Sequence, residues 1–370
     1  MLLRLTNVPR DYAWGSTTLL AALEGRGPAD APEAEVWFGD HPGDPADVDG
    51  GGTLDAVTGG RLPYLLKLLA AAQPLSIQVH PTVEQARAGW EREAGLAMDA
   101  PERNYRDANH KPELLVALSD RFESLSGLRP VGETLALLDG LPDEPGVRAL
   151  RDRLNGSGDV LRDTLRWLLD GSAGEAVDGI IDAVRAAGAD APAAVQAVAR
   201  IADTYPGDPG VVVALLMNHL VLQRGEGVFL RAGLLHAYLS GLGVEIMAAS
   251  DNVLRGGLTL KRIDVAELLS VVDSSSGSVP VLRPTAAGPI AEYEVPVPDF
   301  ALRRVEVAAE PLEVAVDGPT MILATSGELS VHAGEKRLAL QVGTAAFLDA
   351  PEGAVRLTGP GEAFVAGPGR

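Results

Sequence analysis

Cysteine is absent from the 370-residue chain, which excludes disulfides, thiol nucleophiles and thiolate zinc sites together. Histidine is scarce, with 6 copies, so a metal site would have to combine a few imidazoles with carboxylate or amide oxygens. Basic residues are in deficit: 31 Lys and Arg stand against 51 Asp and Glu, a formal net charge of -20. A chain this acidic lacks the electrostatic footprint of a nucleic-acid binder. An anionic ligand would need cations gathered locally against the global field. Long apolar runs are also missing. YLLKLLAAA is broken by Lys67 and VVVALLMNHLVL by Asn218 and His219, so neither reaches the roughly 18 apolar residues of a membrane span. The opening MLLRLTNVPRDYAWGS has no apolar core of the signal-peptide kind. The expectation is a soluble cytoplasmic protein with no membrane or nucleic-acid partner.

What is present is an ordinary globular mix, 46% hydrophobic and 22% charged, which argues against disorder. At roughly 150 residues per domain the length suggests two to three domains. Residues 1–128 and 225–270 are rich in Gly, Pro and short apolar stretches, the texture of strands and turns. LPYLLKLL and PLSIQVH read as strands, and Thr82 with Gln85 makes a capping box that opens a helix. Residues 129–224 change texture. VGETLALLDGL, VRALRDRL, DVLRDTLRWLLDG, EAVDGIIDAVRAAG and AAVQAVARIADTY space apolar residues by three and four, which predicts a helical insert. Ser, Pro and Gly around 270–289 suggest a linker. After it, alternating segments such as ALRRVEV, TMILATSGELSVHAG and KRLALQVGTAAFLDA complete a last β domain over 271–370.

Four segments carry chemistry. In LSIQVH, alternation places Leu75, Ile77 and Val79 on one face and Ser76, Gln78 and His80 on the other. By itself that polar face would as readily meet solvent. In NHKPELLVAL, Pro112 biases Lys111 to an extended backbone, so His110, Lys111 and Glu113 enter a strand. Lys111 and Glu113 share a face, either as an exposed ion pair of little worth or as inward groups of a site. In GEGVFLRAGLLHAYLSG, Gly225, Gly227 and Gly233 permit turns, and His236 follows. Together Gln78, His80, Glu113 and His236 offer an amide oxygen, two imidazoles and a carboxylate, a donor set that suits a borderline divalent ion such as zinc. In GVEIMAASDNVLRGGLTLKRID, Arg255 precedes Gly256 and Gly257 and could offer a guanidinium to a phosphate or oxyanion.

These segments, with YAWGS (12–16) and AEVWFGDHP (34–42), make the chain resemble type I mannose-6-phosphate isomerase, collinearly from residue 12 to about 264. GEGVFLRAGLLH also resembles the second metal motif of cupins, with Arg231 where that motif has Pro. The resemblance implies a mainly β fold: a metal-bearing jelly roll (1–128 plus 225–270), an inserted helical domain (129–224) and a second jelly roll (271–370). It implies one zinc per chain on Gln78, His80, Glu113 and His236, with Arg255 as the catalytic arginine. Ser76 and Lys261 match phosphate-binding positions, and Lys67 is a further substrate contact. Lys111, Glu245, Tyr238 and Asp251 match residues lining the active site. The substrate would be a small phosphosugar, and the protein a monomer.

Aldose–ketose isomerisation moves a proton between C2 and C1 through a cis-enediol(ate), so a proton shuttle must work near operating pH. Glu245 and Lys111 are equal candidates, and His110 is a third, for ring opening. Three other readings compete. A metal-containing cupin that only binds sugar would not need Lys111, Glu245 and Arg255 together. An isomerase of a related phosphosugar would share all of them. A nucleotidyltransferase would need a Gly-rich phosphate loop, and residues 1–30 contain none.

Overall fold

Strand-forming sequence at both ends of the chain and helix-forming sequence in its middle sort into three antiparallel sheets and ten helices among the described residues. The computed structural model describes residues 1–284, 288–349 and 352–369, with position 352 by its backbone alone. Residues 285–287 of the expected linker and residue 350 of the quoted strand segments lie outside them.

The ten-stranded sheet is organised by His236–Ala248. The second half of this strand pairs with Tyr64–Ala71 and Glu113–Ala117, and its first half with Gln78–Val79 and Phe122–Leu128. Between the halves the register shifts at Tyr238/Ser240, and Gly241 follows at φ 126. A Cβ on Gly241 would lie 2.6 Å from the Phe122 side chain, so glycine is required there for both conformation and space. The extra residue of such a bulge resets the two-residue alternation. It lets Tyr238 and Glu245, seven positions apart, turn to the same side and hydrogen-bond.

LSIQVH forms less strand than its pattern predicts. Only Gln78–Val79 is laddered, while Leu75 N–H donates to Tyr238 O and Ile77 N–H to Gly257 O. Ile77 and Val79 pack under the helices, as alternation requires, but Leu75 joins Leu69, Leu115 and Tyr238 in a separate inner cluster. The chain is still leaving a bend at residue 73 and has not yet begun to alternate. The Thr82–Gln85 capping box opens the helix Val83–Arg92.

The five segments with helical spacing form Val131–Asp139, Pro145–Leu154, Val160–Leu169, Gly174–Ala186 and Ala193–Thr204. A sixth helix, Gly210–Leu215, is buried on all sides and so shows no periodicity to read. Met217–Leu222, within the stretch expected to be helical, is a strand paired with Phe122–Leu128. The helices bury their apolar faces against Ile77, Val79, Leu235, Ala237 and Leu254, which backs the strands that carry the polar residues of interest.

The last β region supplies most of a seven-stranded and all of a four-stranded sheet. Leu2–Thr6 joins the seven-stranded one, paired with Ala345–Leu348. Leu5, Phe38, Leu66 and Val244 share one buried cluster with Phe300, Met321, Phe347 and Phe364, so the two β regions close over a common core. Part of the Ser/Pro/Gly stretch, Val281–Leu282, adds a short strand beside Gly227–Leu230. Among the described residues, no helix is long and apolar enough to cross a membrane.

Candidate metal centre and active site

Three buried side chains converge: Glu113 and His236 from two strands, and His80 from the position just after Gln78–Val79. His80 Nε2 lies 3.3 Å from Glu113 Oε1, and His236 Nε2 lies 3.4 Å from Glu113 Oε2. The imidazole centroids are 4.9 Å apart, and one ligand atom from each residue falls within 4.8 Å of the others. Each imidazole is fixed from behind. His80 Nδ1–H donates to Asn252 O at 2.7 Å and His236 Nδ1–H to Leu234 O at 3.0 Å, which turns both Nε2 lone pairs inward. His80 Nε2 is buried with no hydrogen-bond partner, the condition of a nitrogen that a cation would satisfy. Burial pushes the His80 pKa down to about 4, so the ring is neutral and able to coordinate at pH 7. Burial alone would raise the Glu113 pKa, but Lys111 and His80 hold it well below the usual range. Gln78 sits directly across the ladder from His236. Its Nε2 donates to Ser76 Oγ at 3.2 Å, which leaves its carbonyl oxygen available. Two imidazoles, a carboxylate and an amide oxygen fit a zinc ion.

A backbone lock sets this geometry. Asn252, buried on the loop that holds His80, donates through Nδ2 to Asp107 O and Asn109 O and accepts from Arg106 N–H through Oδ1. Asp107 in turn accepts from Ser250 Oγ and Asp251 N–H. The ASDN and RDANHKPE segments are thereby knitted together immediately before the Glu113 strand.

Beside the cluster lies a cavity of about 50 Å³, lined among others by Lys67, Ser76, Gln78, Lys111, Tyr238 and Glu245. Lys111 Nζ is 3.2 Å from Glu113 Oε1, and both are buried, so this is an inward pair and not an exposed one. Lys67 Nζ lies 3.2 Å from Glu245 Oε2, and Tyr238 donates its hydroxyl proton to Glu245 Oε1 at 2.7 Å. Burial raises the Glu245 pKa; Lys67 opposes this, while Glu113 and Glu35 add to it. Burial also drives the Tyr238 pKa well up. For Lys67, burial disfavours the charge, but Glu35, Glu245 and Glu113 outweigh it and the pKa rises.

Arg255 pairs with Gln78 across the ladder. Burial, then the charge of Arg106, lowers its pKa, and Arg255 in turn is the main cause of a lowered pKa at Lys261. None of Arg255, Lys261 and Arg106 has an ion-pair partner among the described residues. An unpaired cation group on a chain this acidic invites an anion. Sequence does not single out Arg106, because nothing in RNYRDANHKPE separates it from a surface charge.

Outside the metal cluster, four expected residues, Arg255, Lys261, His110 and Asp251, do not line the small cavity. His110 is bonded through Nε2 to Asp299 Oδ2 at 2.9 Å, toward the last β region. Asp251 pairs with His41 Nε2 at 3.0 Å and lines a neighbouring cavity of about 480 Å³ with Arg106 and Asp107. Its pKa is lowered chiefly by His41, with Lys111 and Lys67 contributing. Glu35, Trp37 and His41, which lie within AEVWFGDHP, escape a reading by sequence. The one available signal is the alternation that sets Glu35 and Trp37 on one face of their strand.

The profile of the phosphomannose isomerase type I catalytic domain matches residues 51–131. Mannose-6-phosphate isomerase of Escherichia coli K12 is 33% identical, with 97% of each chain covered. The human mannose-6-phosphate isomerase is 31% identical over 96% of this chain and 95% of its own. The crystal structure of mannose 6-phosphate isomerase from Salmonella typhimurium, bound to its substrate fructose 6-phosphate and to zinc, superposes with a TM-score of 0.89 at 32% identity, covering both chains fully.

Proposed function

The chain belongs to the type I phosphomannose isomerase family, and from that premise we propose how its residues divide the interconversion of mannose 6-phosphate and fructose 6-phosphate. The reaction is metal-dependent and zinc is the cofactor. We assign one ion per chain to Gln78, His80, Glu113 and His236. The orphaned His80 Nε2 between two oriented carboxylate and imidazole groups is the observation that carries this reading. A bound zinc supplies a Lewis acid that stabilises negative charge on sugar oxygens.

The remaining work falls to side chains. Glu245, its carboxyl raised by burial, removes and returns the proton between C2 and C1 through a cis-enediol(ate). Tyr238 holds Glu245 in place, and Lys67 offsets its charge. Lys111, engaged with Glu113, is the second candidate for the proton transfer. Arg255 stabilises charge developing on the enediolate. Lys261 and Ser76 bind the phosphate, whose binding energy orients the sugar. Asp251 lines the neighbouring cavity with His41 and Arg106, and His110, tied to Asp299, would have to leave that partner to assist ring opening.

In architecture, the metal residues belong to a jelly roll drawn from 1–128 and 225–270, interrupted by the helical insert 129–224, with a second jelly roll over 271–370. Leu2–Thr6 crosses to the last region and Met217–Leu222 returns to the first, as their pairings support. Turnover of mannose 6-phosphate, and its loss in Glu245→Gln with zinc still bound, is the test. A zinc-loaded, sugar-binding protein with no turnover would identify a non-catalytic cupin instead.

A further inference from the structure

Three carboxylates line the small cavity. Glu113 faces the imidazoles and Glu245 accepts from Tyr238, but Glu35 takes part in neither arrangement. It is nonetheless buried, and a carboxylate is not kept from water without a partner.

The sheet explains its position. Lys67, on Tyr64–Ala71, has Trp37 opposite it on one neighbouring strand and Glu245 opposite it on the other. Alternation puts Glu35, two residues before Trp37, on the same face. Trp37 Nε1–H donates to Glu35 Oε2 at 2.7 Å, which aims Glu35 Oε1 at Lys67 Nζ, 3.8 Å away. The same ammonium lies 5.2 Å from the centroid of the Trp37 ring. Lys67 therefore has two anions and an aromatic face. The groups around this row are Glu35 from its own strand, Lys67, Glu245 and Tyr238 from the next two, Glu113 with Lys111 beyond, and Arg10 and His41, each 5.0 Å from the Trp37 ring centroid.

Two anions are needed if one is neutralised during turnover. When Glu245 takes the proton of the sugar it ceases to balance Lys67, and a buried ammonium without a counter-ion is unfavourable. We propose that Glu35, pinned by Trp37, is a positioning residue that holds Lys67 in place through both states of Glu245. It acts through Lys67. This rests on the proposed role of Glu245.

Glu35→Gln keeps the shape and the acceptor for Trp37 and removes the charge. The expected result is wild-type zinc content, thermal midpoint and KM for mannose 6-phosphate, with kcat reduced roughly tenfold to a hundredfold. Removing a negative charge lowers the pKa of its neighbours, so the pH profile of kcat/KM should also move to lower pH. Glu35→Asp, which retains the charge, should leave the profile in place. Trp37→Phe, which frees the carboxylate, should lower kcat without moving the profile, and it carries the test if Glu35→Gln does not fold. Wild-type kcat with an unmoved profile in Glu35→Gln, or wild-type kcat in Trp37→Phe, overturns the proposal. Glu245→Gln separates the two levels. If it stays active, the role of Glu245 falls and this proposal with it; if it is inactive while Glu35→Gln behaves as wild type, only the present proposal falls.

Discussion

Arg255→Ala removes a guanidinium that the fold leaves without an acid. Arg255 is half-buried opposite Gln78, and its pKa is lowered by burial and by Arg106, so its charge is held at a cost to the folded state. Losing it should not destabilise the protein: relief of repulsion with Arg106 and Lys261 offsets the lost packing, and Tm should stay within roughly 2–3 °C of wild type. Catalysis should respond very differently. The sugar is neutral at C1 and C2 in the ground state, and charge builds on oxygen only as the proton leaves. A preorganised donor aimed at such charge contributes about 3–4 kcal/mol, so kcat should fall by about 10²–10³ with KM little changed. Arg255→Lys should recover only part, since an ammonium lacks the planar fork. The assay is coupled turnover of mannose 6-phosphate at saturation, paired with thermal unfolding. Near-wild-type kcat would refute the reasoning. A raised KM with unchanged kcat would do so too, and would place Arg255 with Lys261 on the phosphate.

Lys261→Ala and Ser76→Ala should mainly raise KM, because a phosphate contact is similar in ground and transition states; collapsed kcat at unchanged KM in steady-state kinetics would remove that role. Asn252→Ala should weaken zinc binding by about 10- to 100-fold, read by chelator competition, because the loop carbonyl that orients His80 loses its anchors to Asp107 and Asn109; unchanged affinity would show the lock to be dispensable. Glu123 has its pKa lowered to about 2, first by the His219 hydrogen bond and then, against burial, by Arg121 and Arg200. A carboxylate with a depressed folded pKa contributes stability that is present above the unfolded value, about 4.3, and is lost as pH falls toward the folded one. Glu123→Gln should therefore cost about 1–2 kcal/mol at pH 7, after allowance for solvent screening, and the gap in denaturant unfolding should close between about pH 4 and pH 2. A gap independent of pH would exclude the ion cluster as its source.

The sequence made the candidate site partly legible because the proposed ligands stand where strands meet turns, next to residues with distinctive local signatures such as Pro112 and Gly233. Lys111 and Glu113 show the limit. Their alternation was readable, but whether the pair faced water or the interior depended on how Glu113–Ala117 is covered, which is long-range information. Glu245 shows another limit. Simple alternation along its strand would set it opposite Tyr238, and only the bulge before Gly241 brings them together. The helical insert was legible wherever helices are half-exposed, as at Val160–Leu169, and hidden where Gly210–Leu215 is wholly buried. Leu2–Thr6 has ordinary strand composition, and nothing in it records that its partner is Ala345–Leu348 at the other end of the chain.

A coupled isomerase assay with mannose 6-phosphate, run on one preparation before chelation, after chelation and after zinc is restored, tests the metal-centred mechanism most directly. The proposed metal ligands sit on or next to strands backed by a large core, so the stripped protein should keep its cooperative thermal transition. The expected result is activity that vanishes with the zinc and returns with it, in a protein that stays folded throughout. Full turnover by protein shown to hold no metal would contradict it.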